Sequence, residues 1–228
     1  MNIILISITA FLLSCSFQDQ NNNNSKIMET ITLPQPALTG DVSIEETLQQ
    51  RRSIREYKDV PLSLQEVAQL AWAAQGISDE ASGFRTAPSA GATFPTEVYL
   101  LITDVEDVAD GVYRYNYDDH SLEKTIDGDR RRELYDVALR QPSITDAPVV
   151  MVITAVVART EQRYGERALR YVYMEAGHVA QNVYLQGVAL DIGTVVVGAF
   201  DDHGVADVLQ LDDGEHPLYI MPLGKKNY

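Results

Sequence analysis

Arg51-Arg52-Ser53-Ile54-Arg55 places three guanidinium groups and a hydroxyl within five residues. Such a cluster repels itself unless an anion or acidic neighbours stand against it. Arginine offers planar, paired donors that suit phosphate. Two readings fit these five residues alone. One is an anion site large enough for a phosphate with a polar ring system attached. The other, simpler one is a solvated charge run closing a helix, its cations facing the C-terminal dipole.

Upstream, Ser43-Ile44-Glu45-Glu46 has the form of a capping box, which opens a short helix running to Arg51. Before it, Leu33-Pro34-Gln35-Pro36 is held extended by its prolines. Ile3 to Leu13 is an apolar run too short to cross a bilayer as a free-standing helix. It ends in Leu12-Leu13-Ser14-Cys15, which resembles a bacterial lipobox, although no Lys or Arg precedes the run. The expected organisation is a lipoprotein-type signal segment over 1–15 with Cys15 lipidated, a polar tether over 16–30 containing Asn21 to Asn24, and one domain over 31–228. That places the protein at a membrane outside the cytoplasm, periplasmic or on the cell surface. Without the signal it is cytoplasmic.

Downstream, Ser63-Leu64-Gln65-Glu66 is a second capping box, and its helix ends at Gly76. Arg85 to Pro95 reads RTAPSAGATFP, a loop of small residues whose backbone another group can approach. Strands are expected at Glu97 to Thr103, at Gly111 to Tyr117 and after Ser121, with a charged surface helix over Arg130 to Arg140. Pro148 to Val157 is almost continuously apolar, as a strand buried on both faces requires. A long helical pattern spans Glu166 to Leu190, an apolar strand or turn follows over Ile192 to Phe200, and a last strand covers Leu218 to Leu223. Strands and helices without a βαβ rhythm indicate an α+β fold.

The 228 residues are 45% hydrophobic, enough for one well-buried domain. A net charge of −15 makes nucleic acid an unfavourable partner. The single cysteine, Cys15, allows no internal disulfide, and His120, His178, His203 and His216 lack metal-ligand spacing, so no metal site is expected.

Seven stretches, taken in order, resemble the nitroreductase-like flavoproteins, and in particular their SagB-type (thiazoline/oxazoline oxidase-like) dehydrogenase branch. They are LPQP (33–36), RRSIREY (51–57), WAAQGI (72–77), RTAPSAGATFPTEVYL (85–100), RYGERALRYVYMEAGHVAQN (163–182), GTVVVGAFDD (193–202) and LYIMPLGK (218–225). The resemblance implies a central mixed or antiparallel sheet flanked by helices, an intertwined homodimer, and FMN at the subunit interface. It implies that Arg51, Arg52 and Ser53 meet the flavin phosphate and ribityl chain, and that Arg55 lies beside the N1/O2 edge. There a fixed cation favours the reduced ring, which gains negative charge. By the same resemblance, Pro88, Ser89, Ala90 and Gly91 reach the partner's flavin, and Val195, Val196, Val197 and Gly198 form the turn over it, with the Val197 amide facing N5. Gly224 and Lys225 fall where the family places a late basic phosphate contact.

One departure matters. Where azoline oxidases of this branch carry a Lys-Tyr pair associated with removing a substrate proton, this chain has Arg163 and Tyr164. Tyr164 is kept as the catalytic candidate, but arginine is a poor general base. The resemblance therefore implies an FMN-dependent oxidoreductase passing two electrons from a small-molecule donor, NAD(P)H if cytoplasmic, to a small-molecule acceptor. An azoline-type dehydrogenase acting on a peptide, a flavin-binding redox carrier or sensor with no substrate of its own, and a non-flavin, acidic surface-binding lipoprotein are the alternatives.

Overall fold

The computed structural model describes residues 27–227, so Cys15, the signal segment and most of the tether lie outside the described residues. In chain order the elements are β1 (Glu29–Thr32), α1 (Ile44–Gln50), α2 (Leu64–Gln75), β2 (Ile77–Asp79), β3 (Phe84–Arg85), β4 (Thr96–Ile102), β5 (Gly111–Asn116), β6 (Ser121–Asp127), α3 (Arg131–Val137), α4 (Pro142–Asp146), β7 (Val149–Val156), α5 (Ala158–Tyr164), α6 (Ala168–Ala189), β8 (Ile192–Thr194), α7 (Asp202–Leu209) and β9 (Glu215–Lys225). Seven strands form one sheet in the order β1-β6-β5-β4-β7-β9-β8, and every neighbouring pair is antiparallel. The choice left open between mixed and antiparallel is thus resolved for the named strands, and the fold is α+β. A separate hairpin, β2–β3, stands apart.

The apolar run at β7 becomes an interior strand of this sheet, between β4 and β9. Its alternate residues serve two cores, because successive side chains of a strand point to opposite faces. Val149, Met151 and Ile153 join Val67, Leu70 and Ala74 of α2 and Val179 and Val183 of α6. Val150 and Val152 join Leu134 of α3, Ile144 of α4 and Val205 and Leu209 of α7. A strand with helices on both faces has no solvated side, which is why its sequence shows no polar alternation.

Both helix starts read from capping residues are present. Ser63 accepts from the Glu66 amide and the Glu66 carboxylate accepts from the Ser63 amide, completing that box. Ser43 accepts from the Glu46 amide. The long helix is α6, with its buried stripe turned to the sheet. At the sheet's far end the chain runs along the outer edge of β8. Ser53 bridges Thr194 in parallel, and the Ile54 amide donates to the Thr194 carbonyl at 2.8 Å. Gly193 permits this approach, since a Cβ there would lie 2.6 Å from Ile54 Cγ2.

Candidate functional site

The arginine cluster follows α1 directly and is held against the β8 edge by buried Ile54. Its three guanidinium groups behave differently. Arg52 Nη1 turns back to the carbonyls of Gln49 and Arg51, at 3.0 and 2.7 Å, and so closes α1 in the manner of the simpler reading. Arg51 lies over the ring of Tyr184, its guanidinium carbon 5.1 Å from the centroid. Arg55 is exposed. Arg51, Arg52 and Arg55 make no ion pair among the described residues, whereas basic groups such as Arg114, Arg131, Arg159 and Lys226 all face carboxylates.

Tyr184 of α6 ties this cluster to the turn after β8. Its hydroxyl lies 3.1 Å from the Ser53 hydroxyl and accepts the Val196 amide at 2.9 Å. The next amide is committed elsewhere. Val197 donates to the Ile220 carbonyl at 2.8 Å and accepts back from the Ile220 amide. This corrects the expectation that the Val197 N–H is the open donor of the turn. The Thr194 carbonyl faces Ile54, the Val196 N–H faces Tyr184, and the Val197 N–H faces β9. That is the alternation of an extended chain, and it sends the Gly198 N–H to the same edge as that of Val196. Gly198 is exposed.

Lys225 stands next to this region, since Gly224 pairs with Gly193. Its ammonium, however, is engaged by the Glu66 carboxylate and by the Leu190 carbonyl, the latter at 3.0 Å. Lys225 thus joins α2, the end of α6 and β9, and is not an uncommitted cation. Gly224 gives Tyr57 its place, because a Cβ on it would lie 2.7 Å from Tyr57 Cγ.

The loop of Pro88, Ser89, Ala90 and Gly91 is elsewhere within the chain. Gly91 has φ +60° and packs on α5, where its carbonyl accepts from Arg163 Nη1 at 3.0 Å. A Cβ there would lie 2.7 Å from the Tyr164 hydroxyl. Ser89 accepts from the Phe94 amide at 2.9 Å, and its hydroxyl stands by Glu175 of α6. Glu175 and Tyr184 are nine residues apart on one helix, or about 14 Å at 1.5 Å per residue. One subunit therefore gathers Arg51, Ser53, Tyr184 and the Val195 to Gly198 turn, and presents the Pro88 to Gly91 loop, with Tyr164, at a distance.

Glu175 is itself notable. It is 2% exposed, and it accepts from Thr96 Oγ1 at 2.9 Å and from Gln75 Nε2 at 3.5 Å. Burial raises its pKa above the ordinary carboxylate value, against the lowering effect of the Ser89, Thr96 and Gln75 hydrogen bonds. A groove of about 820 Å³ lies between residues 37–42, α1, α2 and α6, and neither Arg51 to Arg55 nor Val195 to Gly198 lines it. Among the described residues, no group of three or more His, Cys, Asp and Glu side chains could hold a metal, and no helix is long and apolar enough to cross a membrane.

Tyr184 was not among the residues singled out from the sequence. The available signal is slight, a polar-tipped aromatic beside buried Val183 in a helix that carries two further tyrosines. Only its contacts with Ser53, 131 residues away in sequence, and with Val196, beyond the end of the helix, mark it.

The seven-stranded antiparallel sheet, with the arginine cluster packed on its β8 edge, defines a nitroreductase-like architecture. A family model described as the nitroreductase family matches residues 48–225. A Methanocaldococcus jannaschii protein carrying a provisional nitroreductase name is 46% identical over 186 residues, which are 82% of this chain and 92% of that protein. The chain belongs to the nitroreductase family, a family of oxidoreductases. The trifolitoxin operon protein TfxC of Rhizobium leguminosarum is 25% identical over 192 residues, 78% of this chain and 54% of that protein. Among solved structures, a similarly named nitroreductase from Ralstonia eutropha superposes with a TM-score of 0.78 at 29% identity, covering 90% of this chain and 92% of the other. A chain of the Escherichia coli microcin synthetase McbBCD complex shares the fold, with a TM-score of 0.65 at 22% identity over 98% of this chain and 85% of that one.

Proposed function

We propose that the protein is an FMN-dependent oxidoreductase of the SagB-type branch, working as a homodimer in two half-reactions. FMN, when bound, carries two electrons from a donor to a small-molecule acceptor. The observation that carries this reading is the set of three guanidinium groups within five residues, with no ion pair among the described residues of a chain of net charge −15. Carboxylates are plentiful, yet the cluster is left for an anion from outside. The donor set suits FMN: two uncommitted guanidinium groups, a hydroxyl, and a main-chain amide of the turn. Arg51 and Ser53 hold the phosphate end, with Arg52 adding charge while it caps α1. Arg55 supplies the cation that favours the reduced ring. Val195 to Gly198 pack over the ring, and Gly198, in place of Val197, offers the amide. Lys225 with Gly224 supports the site from β9.

Two features support the dimer. Leu169, Tyr173 and Met174 of α6 and Ile44 and Leu48 of α1 are large apolar side chains left about half exposed. The Pro88 to Gly91 loop also lies away from its own subunit's arginine cluster, so a partner's loop is needed to complete each site. Tyr164 sits at that loop and is the catalytic candidate. Azoline-type oxidation of a peptide is disfavoured, because Arg163 stays protonated and is bound to Gly91. If Cys15 is lipidated outside the cytoplasm, where NAD(P)H is scarce, the donor is a different reductant.

The test is titration of apo-protein with FMN, followed by fluorescence quenching. Arg51→Ala should weaken binding ten- to a hundredfold, the equivalent of a lost charge-assisted contact of about 1.5–3 kcal/mol. Arg55→Ala should lower the bound flavin's reduction potential with less effect on affinity. Wild-type protein that takes up no FMN would overturn the reading.

A further inference from the structure

We propose that Tyr184 is a positioning residue of the flavin site: its hydroxyl pins the Val196 amide and the Ser53 hydroxyl to α6, and so fixes the turn and the arginine cluster relative to each other. This deepens the FMN reading above and rests on it.

A tyrosine hydroxyl has one proton and two lone pairs. The Val196 N–H occupies one lone pair at 2.9 Å, and Ser53 Oγ, at 3.1 Å, takes up a second bond. The two partners belong to segments 143 residues apart, neither of which is regular where it meets Tyr184. Residues 51–55 follow a short helix, and 195–198 follow a three-residue strand. α6, by contrast, is a 22-residue helix locked to the sheet through Ala176, Val179 and Val183. Tyr184 is thus a post on a rigid element that holds two irregular pieces of chain.

The alternation of the turn makes this post necessary. The Val197 N–H is satisfied by β9, but the Val196 N–H faces away from the sheet and meets the tyrosine oxygen. The Gly198 N–H projects to the same edge, so whatever fixes Val196 also aims Gly198. The same ring lies under the Arg51 guanidinium at 5.1 Å, and this limits where that cation can swing. One side chain therefore touches the phosphate-binding arginine, the neighbouring serine and the turn.

The variant that isolates the hydroxyl is Tyr184→Phe, which keeps the ring and its contact with Arg51. In flavin-free protein, amide hydrogen exchange at Val196 should accelerate while Val197 and Ile220 remain protected. The FMN dissociation constant should rise on the order of three- to tenfold, with little change in melting temperature. Ser53→Ala and Tyr184→Phe should be non-additive in FMN affinity, since both act through one hydroxyl pair, whereas a general loss of packing gives additive effects. Unchanged exchange at Val196, unchanged FMN affinity, or strict additivity would overturn the proposal. Should Tyr184→Phe not fold, exchange at Val196 in the exposed-site variant Ser53→Ala gives the answer: the Tyr184 hydroxyl keeps its bond to Val196, so protection there must persist. Failure of wild-type protein to bind FMN would sink the flavin reading, and the exchange measurement on flavin-free protein separates that from failure of the anchor.

Discussion

Arg163 donates from Nη1 to the carbonyl of Gly91 at 3.0 Å, so this side chain holds the Pro88 to Gly91 loop against α5. The bond is exposed, and a contact of this kind contributes about 0.5–1.5 kcal/mol. Arg163→Ala should therefore change urea-unfolding stability by no more than about 1.5 kcal/mol. Its effect should fall on the neighbouring site instead, as a higher KM for acceptor with flavin content retained. Steady-state kinetics alongside the flavin-to-protein ratio checks this. Loss of all turnover with KM unchanged would instead give Arg163 a direct chemical role.

Gly193 lies where the segment after α1 crosses β8. An alanine Cβ would meet Ile54 Cγ2 at 2.6 Å and Ile54 Cβ at 2.9 Å, and a β-branched side chain has little freedom to withdraw. Gly193→Ala should cost about 1–3 kcal/mol of stability through overpacking. It should also lower FMN affinity, because Ser53 and Arg51 move with Ile54. Urea denaturation and FMN titration measure the two effects, and full retention of both would mean the Ile54 contact is not what seats the cluster.

Glu175 ties protein stability to pH in the direction opposite to an ion-paired carboxylate. Burial raises its folded pKa, so the folded state holds this proton more tightly than the unfolded state does. Its contribution is most favourable below the ordinary value of 4.5 and declines as pH climbs from there through the raised value. Glu175→Gln keeps an oxygen acceptor for Thr96 and removes the charge. The stability difference, variant minus wild type, should increase with pH by ~1.4 kcal/mol for each unit of the upward shift. Urea unfolding across the range from acid to mildly alkaline pH tests it. A pH-independent difference would show that Glu175 is not what titrates. Burial raises Glu215 in the same direction, so the comparison must be with the single variant and not with pH alone.

Leu169 and Tyr173 stand four residues apart on one face of α6 and are 46% and 57% exposed. If this face is where two subunits meet, Leu169→Glu with Tyr173→Glu should give a monomer by light scattering, together with loss of FMN, because the partner's Pro88 to Gly91 loop is then missing. A monomer that retains full flavin occupancy would refute the two-chain site.

Cys15 is expected to carry the lipid anchor. One acyl chain binds membranes only marginally, so firm attachment requires the several chains of a bacterial lipoprotein. Wild-type protein should fractionate with membranes and Cys15→Ala should not. Recovery of the wild type in the soluble fraction with Met1 retained would rule the anchor out.

Much of the architecture is written locally. Ser63 and Glu66 mark a helix start because each satisfies the other's main-chain amide, whatever surrounds them. Val149 to Val156 can only be an interior strand, since an unbroken apolar run has no side to offer water. The order of the short stretches, from Arg51 to Lys225, also points to the family. Local pattern was weaker for β1, α5 and α7, which are short and take their shape from docking: β1 from pairing with β6, and α7 from packing Val205 and Leu209 under the sheet. Which site groups are already engaged is not legible, because that depends on partners that only folding brings together. Lys225 stands in the sequence as a late basic phosphate contact, and only the fold sets Glu66 against it. The Val197 amide read as a free donor until the register of β9 assigned it to Ile220. Nothing local marks Tyr184, and only folding brings Ser53 and Val196 to its hydroxyl. Hydrogen bonds are made between groups that meet in space, and a sequence states which groups exist but not which of them are already taken.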